Sequence, residues 1–422
     1  MLEKEIIQYY TDHEDEIIAK LSELIAIESS FGTPDPDNGR PFGEGPAKAL
    51  EWVQKFGQEI GLHTRNIDNY AVAMDWAETE PVLAILSHAD VVPADPAEWT
   101  TDPLELDVRD GNIYGRGTVD DKGPTVAVMY AIKCLKDLGV KLNHSFRMVV
   151  GGSEEQGCED IEYYAQREPF PDMVITPDGS FPVLNCEKGM VHLTFSAPFE
   201  GLTLSGNRTI NAIPDKLRVD GVLYQGKAAH GSHPENGDNA VTKFLSQYVG
   251  DNAQLNALAA MFPHGEFNGR SAGMGFSDPH TGDMTCALTV LNTEEGRLKG
   301  GIDIRFPIDR TYGEISGIII SKLEAAGFSI DTCEGKEPHH VPEESRLVQT
   351  LLGVYERVSG RKGECIYSGG ITYVHDTEGG VAFGAEYPWE ENNMHGVDEH
   401  IPLSTFRDNF LMYAHAILEL TE

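Results

Sequence analysis

His88, Asp120, Glu155, Asp178 and His395 are spread along most of the chain, and Glu154 stands beside Glu155. Each lies where an apolar, strand-like run gives way to a loop. Two histidines and three carboxylates form a donor set for two divalent cations of the zinc or manganese kind. The adjacent glutamate has the right chemistry for a general base. Side chains of consecutive residues diverge, so one can ligate while the other faces a substrate. Together these types predict hydrolysis by an activated water.

The motifs around them add detail. H-A-D at 88–90 ends the run VLAILSHAD, and in a metal site a nearby carboxylate can hold the second ring nitrogen of such a histidine. GRGTVDDKGP (115–124) puts two glycines and paired aspartates ahead of an apolar helical stretch. One aspartate suits a place between two cations, and the other suits a helix N-cap. The loop is not a dinucleotide fingerprint, because G-x-G-x-x-G at a strand–helix turn is absent. GGSEEQG (151–157), TPDGS (176–180) and NNMHGVDEH (392–400) carry the remaining candidates. Singly, each has an ordinary structural explanation: a satisfied histidine, a helix cap, a solvated turn. Their common placement at strand ends makes the set informative, since open α/β sheets bind ligands beyond the carboxyl ends of their strands.

The elements that must position these residues follow from periodicity. Residues 1–30 and 46–61 read as helices, 82–90 as a buried strand, 125–139 as a helix closed by Gly139, and 145–157 and 172–180 as strand-then-turn units. This alternation predicts an α/β catalytic domain, a mostly parallel sheet flanked by helices. From about residue 188 the pattern changes to strand-like alternation at 191–197, 216–224 and 284–307, with helices at 239–250 and 311–327. That predicts an inserted α+β lid domain, a small antiparallel sheet with two helices. The helical stretch 339–360 then returns to the first pattern. The expected domains are 1–187 with 338–422, which is catalytic, and 188–337, which is the lid.

Bulk properties narrow the partners. The 422 residues carry 68 acidic and 32 basic side chains, a formal net charge of −36. Such a surface argues against sequence-independent nucleic-acid binding and against an anionic membrane. No run approaches the roughly 18 apolar residues of a membrane span. The six cysteines are dispersed without a CxxC and read as reduced thiols of a cytoplasmic protein.

HADVVP, Trp99, GRGTVDDKGP, GGSEEQG, PDGSFP and MHGVDE resemble the signatures of the M20 family of metallopeptidases, and the doubled aspartate, GSEEQG and PDGSFP favour its PepV-like dipeptidase branch. The resemblance covers nearly the whole chain. It implies that His88, Asp120 and Asp178 bind one metal and that Asp120, Glu155 and His395 bind the other, with Asp120 bridging. It implies that Asp90 orients His88 and that Glu154 is the base. GKAAHGSHPENG (226–237) matches the family's lid-histidine motif, so the resemblance assigns His230 to the scissile carbonyl, with His233 as its near neighbour. Asn211 in NAIPD and Arg305 in DIRFP match substrate-holding positions, and a planar guanidinium suits a dipeptide carboxylate. The alternative for Arg305 is an ion pair with Asp303 or Asp309. In SGGITYVH (368–375) the chain has His375 where the family pattern carries an arginine. The chain is also shorter than the longest PepV-like members, with the shortfall in the lid.

The implied reaction is dipeptide hydrolysis with two divalent cations, zinc first and manganese or cobalt as alternatives. The substrate would be a small peptide, and the enzyme a monomer or homodimer. Two rivals stand beside it. One is an N-acyl-amino-acid deacylase or desuccinylase of the same fold, separated by its lid contacts. The other is a non-catalytic metal-binding scaffold, which would not need Glu154 and His230.

Overall fold

The computed structural model describes residues 2–422. The chain divides into two compact units. The first comprises the chain up to Asn185, Val341–Ile366 and Thr372–Glu422. The second comprises Cys186–His340 and Tyr367–Ile371.

In the first unit the central sheet strands are buried on both faces, and successive residues feed different cores. Leu83 and Ile85 of Pro81–His88 join the larger core, while Ala84 and Leu86 join the smaller one. Val150 and Val149 divide in the same way. This period-2 division explains the continuous apolar runs of these strands, since both faces are covered. Helices Leu2–Ile25, Glu44–Glu59, Lys122–Asp137, Arg346–Ser359 and Leu403–Leu420 supply apolar residues to the larger core. The short helix Glu159–Ala165 supplies Ile161 and Tyr164 to the smaller one.

The sheet is mixed. Ser145–Gly151, Pro81–His88, Met173–Thr176 and Gly380–Ala382 run parallel as neighbours in that order. His63–Ile67 and Ala71–Asp75 extend it antiparallel on one side, and Val183–Glu187 does so on the other. The mostly parallel expectation therefore holds for the central strands, and it is their carboxyl ends that carry His88, Glu154, Glu155 and Asp178. Helix Lys122–Asp137 is almost wholly buried and is closed by Gly139 at φ 70, in the left-handed region.

The second unit holds a four-stranded antiparallel sheet in the order Thr285–Glu294, Arg297–Phe306, Gly189–Pro198, Ser329–Lys336. Three helices accompany it where the sequence predicted two: Ala240–Gln247, Ala253–Met261 and Tyr312–Ala325. The unforeseen helix begins anew at Asn252, whose side chain accepts the Leu255 N–H at 3.0 Å. Their apolar residues form a core separate from those of the first unit. Among the described residues no helix is long and apolar enough to cross a membrane.

Candidate functional site

Five loops of the first unit bring the candidate ligands together. His88, Asp120 and Asp178 form one group of donor atoms, and Asp120, Glu155 and His395 form a second, so Asp120 belongs to both. Its Oδ1 lies 2.8 Å from His88 Nε2 and its Oδ2 lies 2.7 Å from His395 Nε2. Asp178 Oδ2 is 3.9 Å from His88 Nε2, and Glu155 Oε1 is 3.2 Å from His395 Nε2. The arrangement has the partition that the sequence resemblance implied.

The chemistry of this donor set fits cations. His88 Nε2, Asp120 Oδ1 and Glu155 Oε1 are buried and make no aligned hydrogen bond. Buried polar atoms rarely stay so, because each costs the full desolvation penalty. Three carboxylates and two imidazoles converging with lone pairs inward suit two divalent ions.

Electrostatics point the same way. Burial pushes the carboxyls of Glu154 and Asp178 well up, and their carboxylate neighbours push further: chiefly Asp178 for Glu154, and Asp120 for Asp178. Glu155 is raised by burial and by Asp120. Burial opposes a charged His395, but Asp120 and Glu155 outweigh it and raise the imidazole to about 11. The same competition, with Asp120 and Asp90 prevailing, raises His88. Crowded together, these acids oppose one another's ionisation, and a cation among them would relieve that opposition.

Surrounding residues hold the ligands. Asp90 lies behind His88, its Oδ1 3.3 Å from Nδ1, and Nδ1 is 3.0 Å from the Asp90 carbonyl. Glu154 belongs to neither donor group. Asp121 stands at the N-cap position of helix Lys122–Asp137, but its side chain does not cap it. It accepts from Ser87 Oγ at 2.6 Å and from the His88 N–H at 3.1 Å, fixing the strand end instead. Glu386 accepts from Ser180 Oγ at 2.9 Å and from Asn392, linking the Asp178 turn to the His395 loop. The sequence reading missed Glu386, since only folding brings it to these partners. His375 lies on the short helix Tyr373–Asp376, whose Tyr373 ring meets His88 edge-on at 6.2 Å.

In the second unit Asn211, His230 and Arg305 gather around Gly231. Ala212 pairs with His230, and the Gly231 N–H donates to the Asn211 carbonyl at 2.7 Å. A Cβ at Gly231 would stand 2.3 Å from Asp303 Oδ2, so glycine permits the close approach. His230 Nδ1 accepts the Ser232 N–H at 3.2 Å, which leaves Nε2 as the protonated nitrogen of the neutral ring. His233 instead faces Glu235, 3.2 Å away. Arg305 is buried and donates to both Asp303 oxygens, at 2.8 and 3.1 Å, and to the Gly369 carbonyl at 3.0 Å. Asp309 is not its partner; Asp303 is.

Comparison with known proteins places this geometry. Residues 84–419 match the model of peptidase family M20/M25/M40. The chain belongs to that family. It is an enzyme of the metallopeptidase class. It is 32% identical over 465 aligned residues to the β-Ala-Xaa dipeptidase of Lactobacillus delbrueckii subsp. lactis, covering 97% of this chain and 96% of that one. Among solved structures it resembles human carnosine dipeptidase 1, with a TM-score of 0.71, 16% identity, and coverage of 100% of this chain and 99% of that one. It also resembles the di-peptidase Dug1p of Saccharomyces cerevisiae, with a TM-score of 0.68, 11% identity, and coverage of 99% and 98%. At these identities the structures speak for the fold alone.

Proposed function

We propose that this M20 enzyme hydrolyses dipeptides with two divalent cations held by His88, Asp120, Asp178, Glu155 and His395. The observation that carries the reading is the pair of donor groups sharing Asp120. When bound, the cations would supply Lewis acidity that lowers the pKa of a water toward neutrality. Zinc is the first choice for a mixed histidine and carboxylate set, with manganese or cobalt as alternatives.

The protein's own residues do the rest. Glu154 accepts the proton of the attacking water and passes it to the leaving amine. Asp90 keeps the His88 ring in its ligating orientation. His230 donates from Nε2 to the carbonyl oxygen as negative charge develops there. Asn211 adds a polar side chain beside it. Arg305 directs three of its five N–H groups to Asp303 and the Gly369 carbonyl, and its second Nη2 N–H faces His192 Nε2 at 3.4 Å, which leaves one Nη1 N–H for a substrate carboxylate. We therefore assign it a single charge-assisted bond and not a bidentate clamp.

The chain's near-complete coverage of a dipeptidase at 32% identity favours dipeptides over N-acyl amino acids. The dispersed cysteines without a CxxC are the ground for placing the enzyme in the cytoplasm. The test is hydrolysis of a mixed dipeptide library and of N-acetyl and N-succinyl amino acids, by chelated protein and after addition of Zn²⁺ or Mn²⁺. Cleavage of dipeptides only after metal addition is expected. Full activity in protein shown by elemental analysis to be metal-free would remove the mechanism. Faster turnover of the acyl amino acids would move the enzyme to the deacylase class.

A further inference from the structure

The loop that carries His395 also carries Glu399, to which the sequence motifs give no role. Glu399 is fully buried. Its carboxylate accepts the backbone N–H groups of Gly117 at 3.1 Å, Val119 at 2.9 Å and Asp120 at 3.3 Å. It also accepts Arg116 Nη1 at 2.6 Å. Arg116 returns the contact, donating from Nη2 to the carbonyl of Gly396, beside His395, at 3.0 Å. Its guanidinium lies 5.2 Å from the centre of the Trp99 ring. The Gly115 N–H completes the junction by donating to the Glu399 carbonyl at 3.1 Å.

Two stretches far apart in sequence are thus joined by several hydrogen bonds. The joined residues are the ones that matter to the donor groups: Asp120 is shared by both, and His395 completes one. A buried carboxylate is costly unless its acceptor sites are filled, and here four donors fill them.

We propose that Glu399 is a positioning residue for the metal centre, holding the amides of residues 117–120 from the His395 loop so that Asp120 and His395 meet in ligating geometry. This rests on the metal-centre reading above. A glutamine has the same shape but replaces one acceptor by an NH₂ group. That group would face backbone N–H groups or Arg116, all donors, so the grip would loosen.

The experiment compares Glu399→Gln with Asp75→Asn. Asp75 is also a buried carboxylate paired with arginine, 2.6 Å from Arg147 Nε, but it contacts none of the ligand loops. Metal-free wild type and both variants are titrated with Zn²⁺ against a chromophoric chelator, and their urea unfolding midpoints are measured without metal. Glu399→Gln is expected to bind zinc roughly 10- to 100-fold more weakly while remaining folded, with turnover recovered by excess metal. Asp75→Asn is expected to lose stability and keep wild-type zinc affinity. Equal zinc affinity in Glu399→Gln and wild type overturns the proposal. So does an equal weakening in both variants, which would be general destabilisation. Should Glu399→Gln fail to fold, Glu399→Asp keeps the charge and shortens the reach; it too must weaken zinc, and wild-type affinity in it overturns the proposal. A wild-type protein that binds no zinc, manganese or cobalt would bring down the metal-centre reading itself, and this inference with it.

Discussion

Asp90 lies 3.3 Å behind the Nδ1 of His88, and the same carboxylate accepts the backbone N–H groups of Glu154 and Glu155, each at 3.1 Å. One side chain therefore sets the ring of a candidate ligand and the turn that carries another candidate ligand and the proposed base. Asp90→Asn replaces an acceptor by a donor on one side, so either the ring or the turn loses its partner. The expected result is a fall of about 10- to 100-fold in metal affinity or in activity. Titration of stripped protein with zinc checks the first, and unchanged affinity together with unchanged kcat would show that Asp90 positions neither.

Glu154 and Glu155 should separate cleanly. Glu155 Oε1 lies 3.2 Å from His395 within the second donor group, whereas Glu154 belongs to neither group. Glu155→Ala is expected to lose metal. Glu154→Ala is expected to keep both ions and lose most turnover, since its role is proton transfer. Elemental analysis beside kcat decides, and exchanged phenotypes would reverse the two assignments.

The candidate ligands were legible because each sits in a short motif, and His88, Glu155 and Asp178 lie at or just beyond the ends of strands that are visible as apolar runs that stop. Glu399, Glu386 and His192 were not legible in that way. Glu399 acts through backbone amides some 280 residues away, and His192 reaches Asp303 only through the pairing of Gly189–Pro198 with Arg297–Phe306. The helix Leu403–Leu420 escaped sequence reading for another reason. It is buried on nearly all sides, so it lacks the polar face that periodicity detects. The Asp303–Arg305 pair was legible as an alternative, because residues two apart on a strand share a face.

His230→Ala removes the donor assigned to the carbonyl oxygen and touches no metal ligand. Loss of one such donor typically lowers kcat by about 100- to 1000-fold. Metal content should stay at the wild-type level. A near-normal kcat would shift the role to His233, whose ring faces Glu235, or deny the second unit any part in the chemistry.

Asp303 gives the second unit an acid-sensitive contribution to stability. Burial works against its charge, but Arg305 and His192 prevail and hold the carboxyl at about 2, below the roughly 3.9 of an unfolded aspartate. Because the folded value is the lower one, this stabilisation is complete above about pH 4 and is lost as the pH falls toward 2. Its size is on the order of 2 kcal/mol. The stability gap between wild type and Asp303→Asn, from urea unfolding, should therefore shrink over that interval. A gap that stays constant from pH 5 to pH 2 would mean that Asp303 gains nothing from its partners.

Arg305→Met tests how a substrate carboxylate is read. The arginine's bonds to Asp303 and to the Gly369 carbonyl mean that its removal leaves a buried carboxylate without its strongest partner. Dipeptides and their C-terminal amides should both lose kcat/KM for that reason. Superimposed on this is the single Nη1 N–H assigned to the carboxylate, and a hydrogen bond to a charged group contributes about 1.5–3 kcal/mol. The dipeptide should accordingly lose roughly 10- to 100-fold more than its amide. Measuring kcat/KM for one dipeptide and its amide in both proteins isolates that difference, because the structural loss is common to the two substrates. Equal losses would mean that Arg305 only frames the Asp303 corner, and the carboxylate would then have to be read by another residue of the second unit.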